Sequence, residues 1–375
     1  LDEEGILQVI EKCNINIPLV PFENGSLDEY ISQFVTPFQL REVPLIRCVI
    51  LQRALDEHIF VYDVHHVAFD GVSRRLFTDS IVALYQGKTV NFGKPYKDYA
   101  IWQEKFHKSQ EYILQRNYWI NKVKPVVTEI ISKHRKFNEK ACERTTFTIN
   151  TDMMSQIDAY IVKRNITLFT FLLSVLYVVL YERTGKNIFS IATPVEGRTN
   201  PSFMQTIGMF ANTIILINTI NPEETFEEFS FRVFENAMED FSNINYQYEE
   251  LVSDLQVSRS ENSTLFETML TLQDKQFARE ILVDGLEIAT LQIPIHFSKF
   301  RYNIEAVRNN CGLEFHIDYA TELATKYEID ILKNNLFKVI DYVLINDKIG
   351  CNDLAEKLNP KADTYKQSKI NSNFL

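Results

Sequence analysis

The sequence predicts a mixed α/β (α+β) protein built as two lobes. Short strand-like runs alternate with amphipathic helices along most of the 375 residues, and 45% of the residues are apolar, which is enough for two cores. A basic stretch without apolar periodicity, residues 122–144, separates two patterned regions. We therefore expect an N-terminal lobe over 1–124, a connection over 125–145, a C-terminal lobe over 146–350 and a polar tail or linker over 351–375.

The first region holds two predicted strands, LIRCVILQ and HIFVYDVHH, followed by two helices. Apolar residues recur at helical spacing on one side of the helix after the histidines, at Val72, Leu76, Phe77, Ile81, Leu84 and Tyr85. A single second helix is expected from Tyr99 to Val123, carrying Trp102, Phe106, Ile113 and Trp119.

The second region alternates strands and helices again. TTFTIN, IFSIATPV, TIILINTI and LFETMLTLQD are the predicted strands, and TLFTFLLSVLYVVLYERT is a predicted buried helix. TFEEFSFRVFENAMEDF predicts a helix with an apolar face of Phe226, Phe229, Val233, Phe234 and Met238. A last helix is expected over Glu322 to Ile345.

Composition excludes several function classes. A net charge of −11 with no basic stripe argues against nucleic-acid binding. The most apolar run, Leu168 to Tyr181, is too short to span a bilayer, and the N-terminus lacks a signal-type apolar segment, so we expect no membrane partner and a cytoplasmic location. Five widely spaced cysteines without a CxxC pair favour free thiols over disulfides or a zinc site.

The stretch IFVYDVHHVAFDGVSRRL, residues 59–76, places two adjacent histidines at the end of a strand-like run. Alternation along a strand predicts that His66 shares a face with Phe60, Tyr62 and Val64, and that His65 faces the other way. Opposed imidazoles cannot bind one metal ion, so no metal is expected. Two interpretations stay open: core histidines with Asp70 as the N-cap of the next helix, or acid–base chemistry by an imidazole.

On the acid–base interpretation, His66 lies nearer the turn, where the end of a strand opens onto a cavity. Asp70 is costly to bury alone and therefore needs a cation, which would make it a structural clamp beneath the loop. Gly71 would permit the tight turn into the helix.

HHVAFDG is an HHxxxDG motif, and the chain resembles the condensation domains of nonribosomal peptide synthetases. PYKDYAIWQ is similar to the family's YxDYAxW signature, and NYWINKV to its YW helix. ATPVEGR resembles GTPxxGR, IGMFANTIIL resembles IGxFVNT, and LFETMLTLQD resembles LFDTMFxLQN. These motifs occur in the family's order from residue 1 to about residue 350.

The resemblance implies two chloramphenicol-acetyltransferase-like lobes in a V with a tunnel between them. Donor and acceptor peptidyl carrier proteins would bring thioesters on phosphopantetheine arms, with no cofactor bound directly and an adenylation domain adjacent. The HHxxxDG residues His65, His66 and Asp70 become the candidate catalytic set, with His66 orienting or deprotonating the attacking amine and His65 structural. Asp70 would pair with Arg198, Gly71 would be structural, and Asn212 would line the substrate channel.

The chain also departs from the family pattern. The opening signatures are absent, so the first lobe is expected to be incomplete at its start. NINYQYEE, residues 243–250, stands for (H/N)QDxPFE and lacks the QD pair and the proline. SRSENST stands for RDxSRNP, and SKFRY places Arg301 where many members have Asp. These departures concern substrate and carrier docking rather than the chemistry.

Three other functions remain as alternatives. An epimerisation domain shares HHxxxDG and removes an α-proton from one tethered aminoacyl group. A stand-alone acyltransferase would use a free amine or alcohol as the acceptor. A non-catalytic recruiting module would need no imidazole at all.

Overall fold

The computed structural model describes residues 10–133, 141–257, 263–274, 281–283, 285–289, 291, 298 and 300–358. Within these ranges the strands are β1 Leu19–Pro21, β2 Ile46–Gln52, β3 His58–Val64, β4 Ser132–Lys133, β5 Cys142–Ile149, β6 Ile188–Val195, β7 Asn212–Thr219, β8 Ser263–Thr264, β9 Thr268–Asp274, β10 Ile281–Val283, β11 Leu286–Ile288, β12 Tyr302–Asn309 and β13 Gly312–Ala320. The helices are α1 Leu27–Phe34, α2 Gly71–Tyr85, α3 Tyr96–His107, α4 Gln110–Val123, α5 Val127–Ile130, α6 Thr151–Arg164, α7 Leu168–Thr184, α8 Phe226–Phe241, α9 Tyr248–Asp254, α10 Lys326–Ile345 and α11 Cys351–Leu358.

The chain divides into two compact units that do not follow its order. Unit 1 comprises residues 1–102, 200–211 and 282–294, and unit 2 comprises residues 103–199, 212–281 and 295–375. The first unit therefore ends within α3 and takes in a segment from the middle of the sequence. The lobe boundaries near residues 124 and 145 stay a prediction.

Unit 1 contains a small sheet in the order β1-β2-β3, in which β1 is parallel and β3 antiparallel to β2. Val49, Leu51 and Val61 form its core, against the aromatic and aliphatic side chains of α1. A second cluster consists of Tyr99, Phe203 and Phe210, with Tyr96 and Trp102 packed against it. This cluster joins α3 to residues 200–211.

Unit 2 is built on a sheet whose described strands run in the order β5-β13-β12-β9-β6-β7. The β12–β9 and β9–β6 pairs are parallel, and the other pairs are antiparallel. Buried side chains of α6, α7, α8 and α10 form the large core with the sheet. The predicted mixed α/β class is confirmed.

Helix α7 explains the longest apolar run of the sequence. It is buried continuously from Thr170 to Leu180, as expected for a central core helix. Thr167 caps its first turn, and Gly185 ends it in the left-handed conformation with φ +66°. In the described part of the chain no single helix meets the length and hydropathy of a membrane span; α6 and α7, bent by 101°, meet them only as a pair.

Several local predictions need correction. The expected helix from Tyr99 to Val123 is two helices, because Ser109 caps α4 by accepting a hydrogen bond from the Tyr112 backbone N–H. Ile113 on α4, Met238 on α8 and three residues of the apolar side predicted for α2 are exposed, since helical spacing alone does not say how wide the buried face is. The three residues of α2 are Ile81, Leu84 and Tyr85. The last helix begins at Lys326, after a Thr325–Glu328 capping box.

The end of the chain also differs from the prediction. Residues 351–358, expected to belong to a polar tail, form α11 and bury Cys351, Leu354 and Leu358 in the core of unit 2. The remainder of the predicted tail lies outside the described residues. All five cysteines are free thiols, and burial raises the pKa of Cys351 to about 12.

Candidate active site

The two histidines lie in a turn, not in the strand. Strand β3 ends at Val64, and His66–Ala68 form a single 3₁₀ turn that leads to α2. The expected alternation of His65 and His66 across a strand is therefore wrong, because the extended strand stops one residue too early. Their different environments come from the turn.

His66 is exposed, and its ring is fixed by the turn itself. The Nδ1 atom lies 2.7 Å from the Phe69 carbonyl oxygen, and the Phe69 N–H donates to the His66 carbonyl at 3.2 Å. A carbonyl oxygen only accepts hydrogen bonds, so we assign the proton to Nδ1. In the neutral ring Nε2 then carries the lone pair, which is the arrangement required of a base.

His65 has a structural environment. Its Nδ1 accepts a hydrogen bond from the Val67 N–H at 3.0 Å and thereby caps the turn. The edge of its ring meets Phe38, and the Arg47 guanidinium lies over the same Phe38 ring at 3.9 Å. The turn and the Phe38 ring together hold the imidazole in place, and the structural role of His65 stays a prediction.

Asp63 lies at the end of β3, beside this group, and forms an ion pair with Arg47 at 3.2 Å. Burial raises the pKa of Asp63, whereas the nearby charge of Arg47 opposes that rise. This carboxylate thus provides the negative partner for the cation on β2.

Asp70 is almost fully buried, with 3% of its surface exposed, and is the N-cap of α2. Its Oδ1 accepts a hydrogen bond from the Ser73 N–H at 2.7 Å, and its Oδ2 accepts one from the Phe210 N–H at 3.0 Å. The carboxylate therefore joins the helix to a residue far along the chain. Backbone N–H groups stabilise the charge that burial would otherwise make costly.

Gly71 is the first residue of α2 and lies outside the left-handed region. A Cβ atom at this position would meet nothing within 4 Å. The expectation that Gly71 is needed for a tight turn is wrong, because the backbone there is one that any residue adopts. The glycine instead leaves open space at the start of the helix.

Arg198 is buried, with 7% of its surface exposed, and follows Gly197, whose φ is +63°. It belongs to unit 2, whereas Asp70 belongs to unit 1. Their pairing stays a prediction.

Asn212 begins β7 and is buried. Its amide nitrogen donates to the carbonyls of Ile244 and Tyr246 at 2.8 and 2.9 Å, and its oxygen accepts from the N–H groups of Thr213 and Tyr248. The amide thus holds residues 244–248 in place. These contacts favour a structural role over the predicted one in the substrate channel.

Segment 243–250, which lacks the family's QD pair and proline, is held by side-chain contacts. Asn245 accepts a hydrogen bond from the Thr199 hydroxyl at 2.8 Å through Oδ1, and its N–H donates to Gln115 Oε1 at 3.0 Å. The Trp119 indole donates to the Asn243 carbonyl at 2.8 Å. Unit 2 therefore fixes this segment by contacts that the motif comparison did not reveal.

Arg301, the other departure, is also partnered. It donates through Nε to the Tyr302 hydroxyl at 3.1 Å and approaches Glu328 Oε1 at 3.4 Å. The substitution of the family's Asp thus places a cation beside the first turn of α10. Residues 258–262 of the SRSENST departure lie outside the described residues, and Ser263–Thr264 form β8.

Sequence reasoning did not identify Ser73 as part of the site. Ser73 is fully buried on the first turn of α2, and its hydroxyl contacts Gly208. The only sequence signal was its position three residues after the capping Asp70. Among the described residues no group of three His, Cys, Asp or Glu side chains has the geometry of a metal site.

The site places an exposed imidazole ahead of a helix that is capped by a buried carboxylate, within a fold of the mixed α/β class. The family model of the condensation domain matches residues 2–356, and the chain belongs to this family, the amide-bond-forming domains of nonribosomal peptide synthetases.

Two curated relatives illustrate this membership. Gramicidin S synthase 2 of Brevibacillus brevis is 28% identical over 355 residues, 93% of this chain and 8% of that protein. Bacitracin synthase 3 of Bacillus licheniformis is 29% identical over 346 residues, 91% of this chain and 5% of that protein. The chain thus spans less than a tenth of the length of these relatives.

The fold is also similar to that of solved structures. The condensation domain of the Monacolin K polyketide synthase MokA matches with a TM-score of 0.76 at 17% identity, over 89% of this chain and 80% of that one. At this identity the likeness concerns the fold alone.

Proposed function

We propose that this chain joins a donor aminoacyl or peptidyl thioester to the amine of an acceptor aminoacyl thioester. Both substrates would be carried on the phosphopantetheine arms of donor and acceptor carrier proteins. His66 is the catalytic residue of this proposal. The exposed His66 ring, held through Nδ1 by the Phe69 carbonyl, is the observation that carries it.

The proposed reaction exchanges one acyl bond for another. The amine nitrogen attacks the thioester carbonyl, a C–N bond forms, and the C–S bond breaks to release the donor arm as a thiolate. Nε2 of His66 takes the proton that the attacking nitrogen loses and returns it to the departing sulfur. A thioester is already activated, so alignment of the two substrates supplies much of the acceleration, and the base contributes a further ~10²–10⁴-fold.

The proposal extends to the surroundings of the domain. An adenylation domain on the same polypeptide would load the acceptor carrier, and the two lobes would form a V with a tunnel for the two arms. The reaction would take place in the cytoplasm, a location with which the five free thiols are compatible. The net charge of −11 means that acidic carriers would dock through local patches.

The test is amide formation by the purified chain with two loaded carriers, followed by mass spectrometry of the acceptor arm. Product should require both carriers and fall at least ~100-fold in His66→Ala. His58→Ala is the matched control, since His58 is an exposed histidine at the start of β3, and its rate should equal that of the wild type.

Other outcomes would overturn the proposal in favour of a named alternative. Exchange of the α-proton for deuterium on a single loaded carrier, without an acceptor, indicates epimerisation. Product with a free amine or alcohol and no acceptor carrier indicates a stand-alone acyltransferase. Unchanged turnover in His66→Ala, or none in the wild type with both carriers loaded, indicates a recruiting module.

A further inference from the structure

We infer that Ser73 is a positioning residue: its hydroxyl clamps segment 200–211, here called the strap, and so holds the turn that orients His66. The inference rests on the proposed function for its kinetic part. Its structural part stands on contacts within unit 1.

The contact of Ser73 with the strap uses one hydroxyl twice. Ser73 Oγ donates to the Gly208 carbonyl at 2.8 Å and accepts from the Gly208 N–H at 3.0 Å. Both groups of one strap residue are thus satisfied by a side chain that is fully buried. Loss of the hydroxyl would leave a buried donor and a buried acceptor without this partner, which is the costly case for hydrogen bonds.

Asp70 extends the same clamp by one more strap residue. Its Oδ2 accepts the Phe210 N–H, while its Oδ1 accepts the N–H of Ser73. The first turn of α2 therefore binds the strap at residues 208 and 210 through two residues that also contact each other. Movement of either residue changes the geometry of the other.

The strap is also held from α3 and the loop before it. The Tyr96 hydroxyl donates to the Met209 carbonyl, and the Thr206 hydroxyl donates to the Lys94 carbonyl at 2.9 Å. Gly208 has no room for a side chain, because a Cβ atom there would collide with the Tyr96 ring. The strap is consequently a fixed support for α2.

Asp70 directly follows the residue whose carbonyl holds the His66 imidazole. Asp70 has φ −107° and ψ −178°, the extended conformation of an N-cap, and the peptide before it carries the Phe69 carbonyl. That carbonyl is the acceptor for His66 Nδ1. When the strap fixes Asp70 it therefore also fixes the orientation of the group that sets the His66 tautomer.

The test compares Ser73→Ala with Ser80→Ala in the purified chain. Ser80 lies on the same helix and donates only to its own helix, to the Leu76 carbonyl at 2.6 Å, so it is the matched control. With both carriers loaded, Ser73→Ala should lower kcat roughly 10- to 100-fold with little change in the KM of either carrier. Ser80→Ala should stay within about twofold of the wild type.

Two further readouts separate positioning from loss of folding. ¹⁵N NMR of histidine-labelled protein should show Nδ1–H as the main neutral tautomer of His66 in the wild type and a mixture with Nε2–H in Ser73→Ala. Hydrogen exchange at residues 208–210 should accelerate at least ~10-fold in the same variant. If Ser73→Ala does not fold, Tyr96→Phe, which frees the Met209 carbonyl, provides the same measurements.

The inference is overturned if hydrogen exchange at the strap and the His66 tautomer are the same in Ser73→Ala as in Ser80→Ala. Where Tyr96→Phe replaces Ser73→Ala, the same comparison is made with that variant. The inference is also overturned if kcat falls equally in Ser73→Ala and the control. Failure of the wild type to form an amide would instead reject the proposed function, while the exchange and tautomer measurements would still decide the clamp.

Discussion

Asp70 accepts a hydrogen bond from the backbone N–H of Phe210, a residue 140 positions later in the chain. The aspartate of the HHxxxDG motif thus serves as the cap of α2 and as an anchor for the strap at the same time. This double use explains why a carboxylate with two acceptor oxygens, rather than a hydroxyl or an amide, suits the position.

Asp70→Asn tests that explanation. An amide keeps one acceptor oxygen and turns an NH₂ group toward the second backbone N–H, so the free energy of unfolding should fall by about 1–3 kcal/mol. Urea unfolding measures the loss. Asp79→Asn, an exposed change on the same helix, should cost no more than about 0.5 kcal/mol; equal losses would remove the special role of Asp70.

Gly93 and Gly87 offer a matched pair for the packing of the strap. Both have positive φ, +66° and +71°, so an alanine at either position bears a similar backbone cost of about 1–2 kcal/mol. Only at Gly93 would the new Cβ atom also collide with the Gln205 backbone, at 2.7 Å. Gly93→Ala should therefore lower Tm clearly more than Gly87→Ala, and equal Tm values would contradict the close approach.

Asn212→Asp distinguishes a structural amide from one that binds substrate. The variant replaces a donor that faces the Ile244 and Tyr246 carbonyls with an acceptor, so unfolding should become easier by at least about 2 kcal/mol. Urea unfolding and the KM of each carrier are measured together. A normal unfolding curve with a raised KM would return Asn212 to the predicted substrate channel.

Asp240 predicts a pH dependence of stability in unit 2. Burial raises its pKa from 3.8 to about 6, although the Lys122 ammonium and the Tyr118 hydroxyl, at 2.8 Å, oppose the rise. Between these two values the native state binds more protons than the unfolded state. The contribution of this group to the unfolding free energy therefore falls as pH rises from about 4 to about 6.

The variant Asp240→Asn removes that contribution. The free energy of unfolding of the variant minus that of the wild type should be roughly 1–3 kcal/mol larger at about pH 7 than at about pH 4.5. The variant is therefore relatively more stable at the higher pH. Asp341→Asn, an exposed change on α10, serves as the control and should show the same difference at both pH values. A pH-independent difference for Asp240→Asn would show that the carboxyl titrates normally.

Local patterns predicted only part of the secondary structure, and β12, β13 and α6 of unit 2 were not predicted. The strand IFSIATPV matches β6 residue for residue, whereas the predicted start of the last helix at Glu322 missed the capping box of Thr325 and Glu328 that begins α10. Predictions failed where spacing does not report how much of a face is covered, as for Ile113 and Met238, or where a strand ends, as at Val64. Such features depend on what packs against the element.

The sequence by itself determined the family, the mixed α/β class and the position of the candidate reactive imidazole, because motifs and apolar periodicity are properties of neighbouring residues. Only the tertiary structure decided that His66 lies in a turn with its proton on Nδ1 and that Gly71 has a backbone conformation open to any residue. It also decided that Ser73 and Asp70 form hydrogen bonds with the backbone of Gly208 and Phe210. These relations join atoms whose residues are far apart along the chain or whose orientation a one-dimensional pattern leaves free. Hydrogen bonding and steric exclusion act on distances in space, and the fold alone sets those distances.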